Sequence, residues 1–193
     1  GIGKATACAL AACGCNVALV ARRRDRLLEL QAEIGSRAPG CSVKVIVGDV
    51  NADESIEALR EQGCLEEMDF VIANAGLARG KDLVGAGSLS DWKEMLDTNC
   101  LAVFRLVNEV LPGMLRRRSG HVILIGSIAG METYEGGAIY AASKHAVHAF
   151  ARALRYETYA KNVRCTVVAP GFVGEGTEFS EVRFRGDAEK TQA

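Results

Sequence analysis

No stretch of this chain reaches the roughly 18 consecutive apolar residues of a membrane span. A one-sided charge is also missing. The formal net charge is −1, so no global field draws the protein to nucleic acid or to an anionic membrane. The seven cysteines, Cys8, Cys13, Cys15, Cys41, Cys64, Cys100 and Cys165, contain no CxxC pair. Odd in number and scattered, they make no disulfide framework and read as small buried hydrophobes of a reducing compartment, which implies a cytoplasmic protein. Of the three histidines, His145 and His148 are three apart on one helix, but no Cys or carboxylate set joins them, so no metal is expected. The chain opens without methionine, and GIGKATACALAACG reads as the start of a helix cut from a larger motif rather than as a signal peptide.

What is present is ordinary for one globular domain: 193 residues, 49% hydrophobic and 24% charged. Short apolar runs alternate with helical patterns. Helices are expected over Ile2 to Cys13, over RDRLLELQAEI, over ADESIEALREQ, from about Ser90 to Arg117 with a possible kink at Pro112, and over Ala138 to Lys161. Strands are expected at Asn16 to Ala21, Val43 to Val50, Met68 to Gly76, His121 to Ser127 and Asn162 to Gly171, and the tail beyond reads as polar and irregular. Such alternation implies βαβ crossovers and a parallel sheet covered on both faces, a Rossmann-type doubly wound α/β fold. Ligands of such sheets sit beyond the carboxyl ends of the strands, where Arg22, Asp49, Asn74, Ser127 and Pro170 all fall.

Gly1-Ile2-Gly3 opens a helix, and two glycines there let the backbone approach a pyrophosphate whose charge the helix N-terminus favours. Arg22 and Arg23 follow a strand where an NAD-binding fold carries an acid for the ribose hydroxyl. Arginine at that place suits a 2′-phosphate and favours NADP. Asp49 could accept from an adenine amino group, or cap a helix. Tyr140 and Lys144 lie four apart on one helix face. A free phenol, with a pKa of about 10, is a poor base at neutral pH, and a neighbouring ammonium lowers that value. Tyr140 could then exchange a hydroxyl proton. Ser127, 13 residues earlier at the end of HVILIGS, could hold the substrate oxygen.

Tyr140-x-x-x-Lys144, the strand ending in Gly126-Ser127 and the turn Asn74-Ala75-Gly76 together resemble the short-chain dehydrogenase/reductase family over essentially the whole chain. The resemblance implies that Asn74, Ala75 and Gly76 back the cofactor region, that Val50 lies beside Asp49 in it, and that Asn99 completes a tetrad with Ser127, Tyr140 and Lys144. Lys144 would also bond the nicotinamide ribose. Pro170, Gly171 and Val173 would begin the segment over the nicotinamide, with Thr177 at its carboxamide or phosphate. Ala73, where a second Asn is frequent, and Ala102, where Gly is common, are departures that remove no functional side chain. GTEFSEVRFRGDAEK and LPGMLRRRSGHVILIGSIAG are similar to the NADP-dependent 3-hydroxy acid, or serine, dehydrogenases. That branch implies oxidation of short hydroxy acids or reduction of the matching carbonyl compounds, with Arg183 and Arg185 as candidates for the substrate carboxylate, and a homotetramer or homodimer. A broad carbonyl reductase, or a non-catalytic NADP-binding sensor or scaffold, are the alternatives. In the family the first strand is central and would precede Gly1, and a last strand would follow Ala193. Residues 1–193 are therefore expected to be a single dinucleotide-binding and catalytic domain truncated at both ends, folding badly alone.

Overall fold

Strands built from valine, isoleucine and alanine alternate with helices in the computed structural model, which describes residues 1–174 and 176–187. Two compact units result, Gly1–Leu65 and a second beginning at Glu66. In the first, α1 (Ile2–Ala12) is made of small residues and stops at Gly14, whose φ of 85° is open to glycine. It is followed by β1 (Val17–Ala21), α2 (Arg24–Arg37), β2 (Val43–Val47) and α3 (Asp53–Glu61). The strands pair in parallel, from Val17 opposite Val43 to Ala21 opposite Val47. Leu27, Leu30 and Ile34 recur at helical spacing on α2 and pack with Ala7, Ala11 and Leu19. Burying each large side chain contributes about 1.5–3 kcal/mol before the entropy of ordering it. A single turn, α4 (Cys64–Glu67), follows.

The second unit holds a three-stranded parallel sheet in the order β3 (Phe70–Ala73), β4 (Gly120–Ile125), β5 (Val163–Val168). Central β4 buries Val122 and Leu124 completely. The helices are α5 (Leu89–Leu96), α6 (Ala102–Arg117), α7 (Ala138–Thr158) and α8 (Phe179–Arg183). On α6, Val103, Val107, Val110 and Met114 form the inward stripe; on α7, Ala141, Val147, Ala151 and Leu154 do so.

Two expectations about elements change. The helix from Ser90 to Arg117 is divided not at Pro112 but by a π-helical turn over Asp97–Leu101. Proline leaves the carbonyl four residues earlier without its partner, and that residue, Asn108, is exposed and can turn to water. The polar tail contains α8, a helix that its short length and mixed composition concealed. No helix among the described residues is long and apolar enough to cross a membrane.

Candidate active site

Parallel strands end on the same side, so the loops after β3, β4 and β5 meet. The turn after β4 is fixed to the end of β5: Gly126 N donates to Val168 O at 2.8 Å and Ile128 N to Pro170 O at 3.1 Å. Ser127 is thereby held in extended backbone, its Oγ accepting from Ala129 N at 3.1 Å. Gly126 admits no side chain, since a Cβ there would come within 2.6 Å of His148 Nε2.

Tyr140 stands in the first turn of α7, half-buried, with the Ser127 side chain near enough to its hydroxyl to favour the ionised phenol. Lys144, one turn on, is 5% exposed. Its Nζ donates to Ile125 O at 2.9 Å and lies 5.9 Å from the centre of the Tyr140 ring. Burial lowers the Lys144 pKa to about 8. The Tyr140 phenol moves the other way from the expectation. Burial raises it, the Ser127 side chain and the Arg183 charge oppose the rise, and Tyr134 adds to it. Desolvation is the largest of these effects and sets the direction.

Asn99 occupies the π-helical turn and is fully buried. Its Oδ1 accepts from Leu77 N at 2.8 Å, and its Nδ2 donates to Leu77 O at 2.8 Å and to Ser143 Oγ at 3.0 Å. Ser143 donates in turn to Tyr140 O at 2.7 Å. Gly76 is where these groups crowd: a Cβ would stand 3.2 Å from Asn99 Oδ1 and 3.3 Å from Lys144 Nζ. Asn74 and Ala75 complete the turn that leads out of β3.

A solvent-open cleft lies before Tyr140, and Arg79, Asp82, Trp92, Met95 and Arg183 contribute to its wall. Arg183 is 9% exposed. Its Nε donates to Gly80 O at 2.8 Å and its Nη1 to Tyr134 Oη at 3.0 Å, and its guanidinium stands 6.0 Å from the Tyr140 ring centre. Arg185 does not reach the cleft wall; it pairs with Asp91 at 2.5 Å, and its side chain is 64% exposed. Phe179 of α8 packs on Tyr140 with ring centres 5.6 Å apart. Pro170 is half-buried, Gly171 and Val173 are exposed, and Thr177 Oγ1 donates to Val173 O at 2.7 Å.

Sequence reasoning passed over Ser143, Tyr134, Arg79 and Asp82. Ser143 had a signal, a small polar residue three after Tyr140 and next to Lys144. The other three gave none, because loops far apart in sequence bring them to Tyr140.

In the first unit, Gly1, Ile2 and Gly3 form the start of α1, with no acidic residue in the first turn. Arg22 and Arg23 follow β1 and are exposed. Arg22 Nη1 is 3.9 Å from Asp49 Oδ2. Asp49 Oδ1 accepts from Asn51 N at 2.9 Å, so it caps a turn, while Ala52 takes the N-cap of α3. Val50 follows it, half-buried.

Among the described residues no group of three or more His, Cys, Asp or Glu is placed to hold a metal ion. His145 Nδ1 is engaged with Ala141 O at 2.9 Å.

A parallel α/β fold with Ser127, Tyr140 and Lys144 gathered at its strand ends defines a dehydrogenase of the nicotinamide-dependent kind, and comparison with known proteins agrees. The model of the short chain dehydrogenase family matches residues 1–186, and the chain belongs to that family. It is 40% identical over 181 residues to the NADP-dependent 3-hydroxy acid dehydrogenase YdfG of Escherichia coli (strain K12), covering 92% of this chain and 71% of that protein. An uncharacterized oxidoreductase of Mycobacterium tuberculosis (strain ATCC 25618 / H37Rv) is 44% identical over 193 residues, covering 100% of this chain and 72% of its own. The closed form of a serine dehydrogenase complexed with NADP+ superposes with a TM-score of 0.90 at 37% identity, over 100% of this chain and 76% of that one.

Proposed function

We propose that this dehydrogenase moves a hydride between NADP(H) and the 3-hydroxyl or 3-keto group of short hydroxy acids. One observation carries the substrate class. Arg183 is a nearly buried guanidinium in the wall of the Tyr140 cleft, and no carboxylate pairs with it among the described residues. A buried cation without a counter-charge is costly, and a substrate carboxylate relieves that cost through charge-assisted hydrogen bonds.

The side chains present fit NADP. Lys144 uses one of its three N–H donors on Ile125 O, which leaves donors for a ribose. Arg22 and Arg23 suit a 2′-phosphate, Gly1, Ile2 and Gly3 a pyrophosphate, and Asp49 with Val50 an adenine. Asn74, Ala75, Gly76, Pro170, Gly171, Val173 and Thr177 are the candidates around the nicotinamide. When bound, NADP supplies the hydride acceptor, and NADPH the donor.

The remaining work falls to the chain. Ser127 and the Tyr140 hydroxyl, which lie near each other, hold the substrate oxygen between them. In reduction the neutral phenol that burial favours gives its proton to the developing alkoxide, and in oxidation the phenolate takes the proton from the hydroxyl. The Lys144 ammonium, 5.9 Å from the centre of the Tyr140 ring, favours that phenolate by its charge. Asn99 positions the site through Leu77 and Ser143.

The exposed side chains of Leu101, Tyr156 and Tyr159, by the ends of α6 and α7, support a homo-oligomer, a tetramer or dimer, built on these helices. Free cysteines throughout support a cytoplasmic setting.

The test is a panel of L-serine, 3-hydroxybutyrate, a neutral secondary alcohol and a simple ketone, each with NADP(H) and NAD(H), on the full-length protein. NADP-linked turnover of the hydroxy acids is expected. Arg183→Ala should raise their KM by about tenfold or more and leave the neutral alcohol much less affected. Turnover of the neutral compounds alone, or an equal effect of Arg183→Ala on all, overturns the hydroxy-acid reading.

A further inference from the structure

The wall of the Tyr140 cleft carries a second charge that a plain hydroxy acid does not use. Arg79, Asp82 and Arg183 all line it. Arg79 is already neutralised: its Nε and Nη2 each donate to Glu94 at 2.7 Å, and its Nη1 donates to Val182 O at 2.5 Å. One cation and one anion remain. Among the described residues no carboxylate pairs with Arg183 and no cation pairs with Asp82.

Both groups lie against one residue, Arg183 bonded to it and Asp82 exposed to solvent beside it. Gly80, at a φ of 57°, accepts Arg183 Nε on its carbonyl. The Asp82 carboxylate folds back against its α-carbon, with Oδ2 2.6 Å from where a Cβ would stand. The left-handed turn and the missing side chain both call for glycine here. The result is an acid and a guanidinium gathered around a single backbone unit beside the proton-transfer tyrosine.

A 2-amino acid presents the matching pair, a carboxylate and an ammonium on one carbon. We propose that Asp82 is a specificity-determining residue that accepts the 2-ammonium of a 2-amino-3-hydroxy acid while Arg183 takes its carboxylate. The proposal rests on the hydroxy-acid reading above. A substrate that lacks the amino group leaves Asp82 uncompensated next to an incoming carboxylate, and that repulsion selects against it.

The test compares L-serine with 3-hydroxypropanoate, which differs by the amino group alone, on full-length wild type, Asp82→Asn and Asp82→Glu. Asp82→Asn should lower kcat/KM for L-serine at least about tenfold more than for 3-hydroxypropanoate, mainly through KM, because a charge-assisted hydrogen bond is lost. Asp82→Glu should restore part of the preference. The rise in melting temperature on adding L-serine in the presence of NADP should shrink in Asp82→Asn, which reads binding apart from turnover. Equal losses on the two substrates, an unaltered serine preference, or a wild type that turns over only 3-hydroxypropanoate overturns the role of Asp82 and leaves the hydroxy-acid reading standing. A wild type inactive on both overturns the two together.

Discussion

Tyr140 is a phenol in a setting that keeps its proton on. Burial raises its pKa, and the Ser127 side chain and the Arg183 guanidinium only partly offset that. A protonated phenol is an acid waiting for an oxygen that becomes basic, which a carbonyl under reduction does. Replacing Tyr140 by Phe removes the proton and leaves the ring against Phe179. We expect Tyr140→Phe to lower kcat by about 10³-fold, within the usual range for one acid–base group, with NADP affinity retained by calorimetry. Turnover that survives the substitution would remove Tyr140 from the chemistry. Loss of NADP binding with it would point to a structural role. The residue pair itself was legible from four-residue spacing on an amphipathic helix. The direction of the phenol shift was not, because spacing says nothing of how much water two side chains lose.

At the scale of elements, the segment from α5 to α6 shows how a local irregularity builds the site. A π-helical turn inserts an extra residue into the helical register and turns Asn99 inward, where regular helix would place it differently. Three hydrogen bonds then tie that turn to Leu77 and to Ser143 on α7. Asn99→Ala leaves the Leu77 amide and carbonyl buried without partners. It should cost about 3 kcal/mol in urea unfolding, the penalty for stranded buried polar groups. A change below about 0.5 kcal/mol would show that water replaces the amide. The position of Asn99 in the tetrad came from family resemblance, while its commitment to Leu77 and Ser143 came from three-dimensional packing. The helix α8 was missed for a related reason. Five residues with one inward Arg183 make no apolar period, and the helix is held instead by Arg79 on Val182 O and Gly80 N on Arg183 O at 3.0 Å.

For the molecule as a whole, the buried Lys144 couples the site to stability. Its pKa is about 8 in the folded protein against 10.5 for the free group. Below pH 8 both states hold the proton and the fold bears the full cost of a buried ammonium. Between about pH 8 and 10.5 the unfolded chain binds the proton and the native state does not, so stability rises with pH through that window. Lys144→Met has no proton to lose. The stability of wild type minus that of the variant should therefore increase from pH 7 to pH 10, measured as urea midpoints at fixed salt. Both proteins should carry Cys100→Ala, because the Cys100 thiolate and the Lys144 ammonium act on each other's titration; the subtraction cancels Cys165, whose thiol burial raises. A difference that stays flat with pH would mean Lys144 is solvated.

By itself the sequence determined the parallel α/β order, the pairing of Tyr140 with Lys144, the placing of Ser127 at a strand end and the arginines after β1, because these depend on periods and offsets along the chain. Only the tertiary structure decided that Arg183 faces the cleft while Arg185 pairs with Asp91, that Asp82 shares Gly80 with Arg183, and that Asn99 is spent on Leu77 and Ser143. Burial and the meeting of distant loops set those outcomes, and both are properties of the closed packing rather than of any local stretch of chain.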